Sequence, residues 1–430
     1  MISKIFNTFS IKFFSAIFNL LIAIVVSQYL GAAGKGIQSI ILTTISFVLI
    51  FENIAGGAVL VYLSSRYKTS ILIILSYFWS IFTGIVFYFI LSNLNIVNQD
   101  FIFSICLLSV INSFASNNSN ILLGKEKINF SNIVSFIQPI FTLITLLIFL
   151  FIFRIKSINI YINSLYIAYI FSFLLSIFYL KHAKDKTNKI KINNWKQTAK
   201  AMFSLGFYNQ LSHITSLLNM RLSYYLLDKY QGAEALGIYS NGVSLTEAIW
   251  MVSGSMAMVQ YSKISNTSDR KYAQELTVNM VKISLLLTIV ILIPMLLLPS
   301  GFYIFIFGKD FANVNLIMNC LAPGVIFYNF ALLIGHYFSG TGKYYINTTA
   351  SAIGLIITLL LSFYAIPIWG FYGAGVVTSI SYITISATVL FFFQKESKIS
   401  FMLMIPTFQD IKQYFSSIKT VVNNKKNYHE

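Results

Sequence analysis

Five ionisable side chains lie inside long apolar stretches of the sequence: Glu52, His213, Arg221, Glu247 and His336. A charge in the hydrocarbon of a bilayer is costly, so each marks a candidate functional position. The planar guanidinium of Arg221 can bind a diphosphate through paired hydrogen bonds. At 1.5 Å per residue, Arg221 and Glu247 lie about 10 and about 15 Å from the ends of their helices. The alternative to a binding role for them is an ion pair that only fixes helix packing.

Glu52 is the candidate for ion coupling, because a carboxylate held away from water can exchange a proton or bind a cation. A packing role with a Ser or Asn partner is the alternative for this residue. His213 is a candidate for the substrate cavity. Both it and His336 can titrate near neutral pH, although a hydrogen-bonded structural histidine is the commoner case.

Amide side chains crowd the string "NSFASNNSN" at residues 112–120. So many amides cannot all face lipid, and they predict either a polar cavity wall or hydrogen bonds between helices. Asn117 and Asn118 are the candidates here for contact with a substrate.

Aromatic side chains near the same region can stack on sugar rings or belong to the interfacial aromatic belt. They are Tyr224, Tyr225, Tyr239 and Trp250. Of these, Tyr224 is the candidate for the substrate site.

Other chemistries have no signal in the sequence. No phosphate-binding loop, metal-ligand cluster or nucleophile–base pattern appears. Cys106 and Cys320 lie in apolar runs and predict neither a metal site nor a disulfide. The connecting segments are too short for a soluble catalytic domain, so no cofactor is expected. Any transport must be driven by an ion gradient, the membrane potential or the gradient of the substrate itself.

The composition places these residues in a membrane protein. Hydrophobic residues make up 57% of the 430 residues, charged residues 10%, and the mean hydropathy is +0.75. Soluble domains carry about a quarter charged residues. The net charge of +17 does not indicate nucleic-acid binding, because Lys and Arg gather at the ends of apolar runs.

Windows of about 20 apolar residues predict twelve spanning helices. They lie near 11–30, 38–63, 71–92, 101–123, 133–153, 158–180, 204–227, 237–262, 278–299, 314–338, 347–368 and 371–393. A cleaved signal peptide is the alternative for the first window, whose apolar run is longer than a signal sequence needs.

Most of the 30 Lys and Arg residues fall in segments that are cytoplasmic if the N-terminus is inside. The segments on the opposite side hold Lys35, Arg154, Lys156, Lys229 and Lys309. Positive residues near helix ends stay in the cytoplasm, so both termini are predicted to be cytoplasmic. The predicted location is a bacterial plasma (inner) membrane.

One string occurs twice: "YLGAAGKGIQS" at 29–39 and "YQGAEALGIYS" at 230–240 agree at more than half of their positions. Each copy joins the first two spans of a six-helix half. Six is even, so the halves form a parallel repeat about an axis along the membrane normal. The alternative is that any turn between helices uses Gly and Ala. The predicted domains are an N-lobe (1–180), a basic cytoplasmic linker (181–203), a C-lobe (204–393) and a cytoplasmic tail (394–430).

The tail contains "FQDIKQYFSSIKTVV", with apolar residues at helical spacing at Phe408, Ile411, Phe415, Ile418 and Val422. This spacing predicts an amphipathic helix at the lipid interface. A solvated tail is the alternative.

Three longer strings carry a family resemblance. Residues 217–265 ("LLNMRLSYYLLDKYQGAEALGIYSNG…"), 122–139 and 338–382 resemble Wzx-type polysaccharide (O-antigen) flippases. These belong to the multidrug/oligosaccharidyl-lipid/polysaccharide exporter superfamily. The resemblance implies an all-α, MATE-like membrane fold and the transfer of undecaprenyl-diphosphate-linked oligosaccharide from the inner to the outer leaflet. Arg221 matches a basic residue of the family string, whereas Ser223 stands where the family often has Asp.

Three other functions stay open at the level of sequence. A MATE-like, cation-coupled drug exporter would share the fold but would favour an acidic cavity, which Arg221 disfavours. A membrane glycosyltransferase or polysaccharide polymerase fits poorly with short outer loops. A non-transporting scaffold for envelope assembly is the third. The expected partners are the lipid-linked oligosaccharide, the bilayer and other polysaccharide-assembly membrane proteins, and no nucleic acid.

Overall fold

The computed structural model describes residues 2–183, 192, 194–410 and 412, and these residues are almost entirely helical. The α-helices are α1 (Ile2–Glu52), α2 (Gly57–Leu63), α3 (Thr69–Leu94), α4 (Gln99–Gly124), α5 (Ile128–Phe151), α6 (Ile158–His182), α7 (Trp195–Ser265), α8 (Arg270–Leu297), α9 (Ser300–Phe307), α10 (Val314–Gly340) and α11 (Tyr344–Ser397). Within these described ranges, nine stretches are long and apolar enough to cross a membrane.

Three of these stretches are too long for a single crossing. They run over 54, 71 and 54 residues, whereas about 20 residues cross the hydrocarbon. Each contains a glycine with a non-helical backbone at which it can be divided into two crossings: Gly31 (φ 69°), Gly232 (φ 82°) and Gly370 (φ 56°). Division at these glycines yields the twelve spanning helices that hydropathy predicts.

Gly31 and Gly232 occupy the same position in the two copies of the repeated string. Their backbones match closely, with ψ of −173° and 174°. A left-handed φ with extended ψ is accessible almost exclusively to glycine. The string is repeated because each copy makes the same sharp turn between two spans.

The second shared glycine of the string brings the two copies into contact. A Cβ atom added to Gly36 would overlap the carbonyl oxygen of Ala233, and one added to Gly237 would overlap that of Ala32. Small residues allow helix backbones to approach this closely. The contact is reciprocal, as an approximate two-fold relation between repeats requires. We call this contact the glycine crossing.

The second predicted span, 38–63, is wrong as a continuous helix. α1 ends at Glu52, a 3-10 turn covers Asn53–Ala55, and α2 begins at Gly57, whose φ is 56°. The physical reason is the sequence "ENIAGG", in which an amide side chain and two adjacent glycines interrupt the apolar run. A break at membrane depth is tolerated only where other groups satisfy the freed backbone. Here the indole of Trp79 donates to the carbonyl of Phe51 at 2.9 Å.

The chain divides into two compact units that differ from the predicted lobes. The first comprises Met1–Leu245, Pro299–Cys320 and Leu355–Thr378, and the second Thr246–Leu298, Leu321–Gly354 and Ser379–Glu430. The lobe boundaries therefore stay a prediction.

Buried polar side chains join helices within the second unit. The Asn329 amide oxygen accepts hydrogen bonds from Ser253 (2.7 Å), Ser284 (2.9 Å) and Thr288 (3.2 Å). The donors belong to α7 and α8, whereas Asn329 belongs to α10. These bonds hold the three helices together where lipid offers no hydrophobic driving force.

The linker and tail are described in part. In the linker, Ile192 pairs with the 66–68 loop: its N–H donates to the Arg66 carbonyl at 3.0 Å. In the tail, the Asp410 carboxylate pairs with Lys282 at 2.9 Å. Hydrogen bonds from Thr407 and Lys282 hold the pKa of Asp410 at about 2. The predicted amphipathic helix falls mainly at positions outside the described residues.

Replacing Gly232 with Ala should destabilise the protein by about 1–3 kcal/mol, the usual cost of backbone strain of this kind. No atom lies within 4 Å of the added Cβ, so only the positive φ opposes the change. Gly254→Ala is the matched control, because Gly254 is an ordinary helical residue of α7 with equal free space. Melting temperatures of the detergent-purified variants test this, and equal values would contradict it.

Candidate functional site

Lys35 is a buried cation that the sequence prediction missed. Charge counting placed it in an outer loop, yet it lies in the part of α1 after Gly31 and is 5% exposed. Its ammonium donates to Gln38 Oε1 at 3.0 Å and to Ser39 Oγ at 3.4 Å. The repeat contains the signal that would have found it, because the matching residue of the second copy is Leu236. A cation stands where the repeat has a buried leucine.

Arg221 is the second cation of this site. The charges of Lys35 and Arg221 interact electrostatically. The Arg221 guanidinium lies 5.1 Å from the Tyr224 ring centre, and its Nη1 is 3.5 Å from the Tyr224 hydroxyl. Tyr224 is itself buried and packs edge-on against Tyr239, with ring centres 5.8 Å apart. We call Lys35, Arg221 and Tyr224 the dibasic site.

Hydrogen bonds between α1, α7 and α11 position the dibasic site. Thr44 Oγ1 lies 3.0 Å from the Tyr225 hydroxyl, which ties α1 to α7 one turn beyond Arg221. Two residues before Arg221, Asn219 accepts a hydrogen bond from Thr358 of α11 at 2.9 Å. A further bond joins the part of α7 after Gly232 to the part of α1 before Gly31: Asn241 donates to Ser27 at 2.8 Å. These hydrogen bonds hold in place the helices that contain Lys35 and Arg221.

The electrostatics of the dibasic site favour an anionic ligand. A buried ammonium costs several kcal/mol unless an opposite charge compensates it, and a second cation adds repulsion. No carboxylate pairs with Lys35 among the described residues. Asp310 instead accepts the N–H of Ala32 at 3.1 Å, at the start of the helix that carries Lys35. An anion with several oxygens would compensate the buried ammonium of Lys35.

Two other predicted site residues lie elsewhere. Glu247 belongs to the second unit, where its charge acts on the partly buried Tyr328. Its ion pair with Arg221, which belongs to the first unit, stays a prediction. His213 is exposed on α7 about 12 Å along the helix from Arg221.

His336 has a structural environment. Its Nδ1 lies 2.7 Å from the carbonyl oxygen of Leu332, one turn back along α10. The ring also packs edge-on against Tyr261, with ring centres 6.2 Å apart. This hydrogen-bonded, partly buried state is the structural alternative that the sequence left open.

Asn117 and Asn118 are both fully buried but face different neighbours. Asn118 donates to Ser176 at 2.8 Å and accepts from Tyr77 at 2.9 Å, so it joins α3, α4 and α6. Asn117 donates weakly to Ser113 at 3.3 Å, and its side-chain oxygen faces the break after Glu52. Asn118 thus bonds between helices and Asn117 belongs to a second polar cluster, and contact of either with a substrate stays a prediction.

The other amides of the same string line a polar cavity of about 190 Å³ between α4 and α5. Its lining includes Asn112, Ser116, Ser119, Asn120, Ser131, Ser135 and Gln138. Both sequence interpretations of "NSFASNNSN" therefore hold, each for different residues: some amides line a cavity and others bond between helices.

Glu52 is buried at the end of α1 with 0% exposure. Ser109 of α4 donates to its Oε1 at 3.0 Å, whereas its Oε2 has no hydrogen bond to any described group. A Ser partner was the packing alternative of the sequence analysis, and it satisfies one of the two oxygens.

Comparison with known proteins gives relatives in sequence and in structure, although no protein-family model matches the chain. The capsular polysaccharide biosynthesis protein CapF of Staphylococcus aureus is 26% identical over 60% of this chain and 65% of its own length. A protein named as an O-antigen transporter from Shigella flexneri is 26% identical over 61% of this chain and 62% of its own. The chain thus spans less than two thirds of either relative.

Solved structures match over nearly the whole chain. The lipid II flippase MurJ in an inward closed conformation superposes with a TM-score of 0.76 at 18% identity, covering 92% of this chain and 88% of MurJ. An inward-facing MATE multidrug transporter gives a TM-score of 0.67 at 11% identity, covering 89% and 94%. At such identities the likeness concerns the fold. The chain has the fold of the multidrug/oligosaccharidyl-lipid/polysaccharide exporter superfamily, and its resemblance to the Wzx-type polysaccharide flippases is confirmed.

Proposed function

We propose that this protein is a flippase that moves an undecaprenyl-diphosphate-linked oligosaccharide from the inner to the outer leaflet of a bacterial plasma membrane. Both termini would face the cytoplasm. The observation that carries the proposal is the pair of interacting cations formed by the buried Lys35 and the partly buried Arg221. The names of the sequence relatives, which concern capsular polysaccharide and O-antigen, support the same substrate class.

The dibasic site matches the chemistry of a lipid-linked sugar. The diphosphate is the charged part of such a lipid and has oxygens for several donors at once. A guanidinium binds two of these oxygens in a planar fork, and an ammonium binds a third as a point charge. Tyr224 holds the guanidinium from one side, which leaves fewer orientations to be fixed on binding.

The glycine crossing would control access to the dibasic site. Gly36 follows Lys35 directly, so a close backbone contact between the repeats lies beside the buried ammonium. Separation of Gly36 from Ala233 and of Gly237 from Ala32 would uncover Lys35. Rocking of the repeats about this crossing would then alternate access to the site.

A drug exporter with the same fold is the main rival, and the dibasic site disfavours it. The cations Lys35 and Arg221 repel a cationic drug, whereas such an exporter needs acidic groups to attract one. A membrane polymerase or glycosyltransferase has less support, because the relatives and structural neighbours are named as transporters, flippases or a polysaccharide biosynthesis protein.

Leaflet-specific labelling of lipid-linked sugar in a deletion strain tests the proposal. We expect the sugar to accumulate on the cytoplasmic leaflet and the full-length protein to clear it. Normal outer-leaflet sugar together with increased sensitivity to cationic drugs would refute the flippase and favour the exporter. A strain lacking an earlier glycosyltransferase is the control, because it makes no sugar to accumulate.

A further inference from the structure

The break in the second span gathers buried oxygen atoms that have no donors. Three side-chain oxygens lack a hydrogen bond to any described group: Oε2 of Glu52, Oδ1 of Asn53 and Oδ1 of Asn117. Glu52 and Asn117 are 0% exposed. A buried acceptor without a donor loses the hydrogen bonds that it would make in water and destabilises the fold. A cluster of three needs a physical explanation.

The contacts around Gly56 place two of these oxygens, those of Asn53 and Asn117, close together. A Cβ added to Gly56 would meet the Oδ1 atoms of both Asn117 and Asn53, the latter at 3.1 Å. Ser113 connects Asn117 to the carboxylate, since it accepts from the Asn117 amide at 3.3 Å and also faces Glu52. Glycine at position 56 leaves the space in which the two amide oxygens converge.

The chemistry of the cluster distinguishes a metal cation from a proton. A proton on Glu52 Oε2 would donate to one of the two amide oxygens and would leave the other unsatisfied. Carboxylate and amide oxygens are the ligands that hard cations prefer. One carboxylate balances the charge of one monovalent cation, and an interrupted membrane helix is a suitable frame for such an ion.

We propose that Glu52, Asn53 and Asn117 form a binding site for a monovalent cation, with Na⁺ as the fitting ion, at the break between α1 and α2. The site stands on its own geometry. A role in driving transport rests in addition on the proposed flippase function.

The break also contacts α7, the helix that carries Arg221. The Gln210 side chain donates to the carbonyl of Asn53 at 3.4 Å, and Gly206 packs directly on the carbonyl of Ile54. Arg221 lies eleven residues beyond Gln210, about 16 Å along the helix. An ion that orders residues 53–55 would therefore act on the helix that holds the dibasic site.

Binding of radioactive ²²Na⁺ to the full-length protein, purified in sodium-free detergent buffer, tests the site. We expect saturable binding of about one ion per chain, which excess unlabelled Na⁺ displaces. Glu52→Gln and Asn117→Ala should each weaken it at least tenfold. Asn120→Ala is the matched control from α4, because its amide bonds within its own turn, to Ser116 at 2.9 Å; it should bind like the wild type.

Melting temperatures in the same buffers show whether each variant is folded. Glu52→Gln removes a buried charge at nearly constant shape, so it should be as stable as the wild type without Na⁺ and should lose the rise in melting temperature that Na⁺ produces. Absence of saturable Na⁺ binding to the wild type, or unchanged binding to Glu52→Gln, would overturn the site. If Na⁺ binds but the labelling experiment shows no sugar transfer, only the proposed function fails.

Discussion

Replacing Lys35 with Leu should leave the protein folded and reduce transfer of lipid-linked sugar about 10- to 100-fold. The reduction follows from losing charge-assisted hydrogen bonds to the diphosphate, each worth about 1.5–3 kcal/mol. The fold should tolerate the change, because the second copy of the string has a buried leucine, Leu236, at the matching position. Removing an uncompensated buried charge should even raise the melting temperature.

Two further variants make this test specific. Arg221→Lys keeps the charge but loses the planar fork, so we expect about a tenfold reduction in transfer. Lys229→Ala removes an exposed cation from the same helix and should transfer sugar normally. Leaflet-specific labelling at matched expression measures all three. Full transfer by Lys35→Leu would mean that the buried ammonium has no part in the cycle.

Replacing Gly36 with Ala should open the glycine crossing. The added methyl group would overlap the carbonyl oxygen of Ala233, a backbone atom that no rotamer change can move. Such overpacking costs about 1–3 kcal/mol, and about 1.4 kcal/mol changes an equilibrium tenfold. We expect a lower melting temperature and a population shifted toward conformations in which the two copies of the string are apart.

Thiol labelling measures this shift. Ser39 is buried beside Lys35, so Ser39→Cys, with Cys106 and Cys320 replaced by Ala, reports whether the crossing is open. In the Gly36→Ala background the rate of labelling should rise about tenfold. Gly301→Ala is the control, because no atom lies within 4 Å of its added Cβ. If Gly36→Ala labels as slowly as its parent, the crossing is not the gate.

The sequence predicts the spanning helices well because hydropathy depends on composition over a long window. The repeated string was also interpretable: Gly31 and Gly232 make equivalent turns, as a parallel repeat requires. The reciprocal contact at Gly36 and Gly237 is a tertiary contact between the two copies of the string, and neither copy alone predicts it.

Lys35 and the break after Glu52 show where sequence reasoning fell short. Counting charges by segment treats every cation between two apolar windows as solvated, and Lys35 is one that the turn at Gly31 carries into a buried helix. Asn53 and the two adjacent glycines do indicate a break. The apolar residues around them nevertheless keep the mean hydropathy of the window high enough to predict a spanning helix. Convergence of Asn117 on that break comes from the packing of α4, which the sequence does not specify.

The central claim is that Lys35 and Arg221 bind a lipid diphosphate. Native mass spectrometry of the purified protein with undecaprenyl diphosphate, and separately with uncharged undecaprenol, tests it most directly. We predict that the wild type binds the diphosphate at least tenfold more tightly than the alcohol, and that Lys35→Leu loses most of this preference. Equal affinity of the wild type for the two lipids, or an unchanged preference in Lys35→Leu, would contradict the claim.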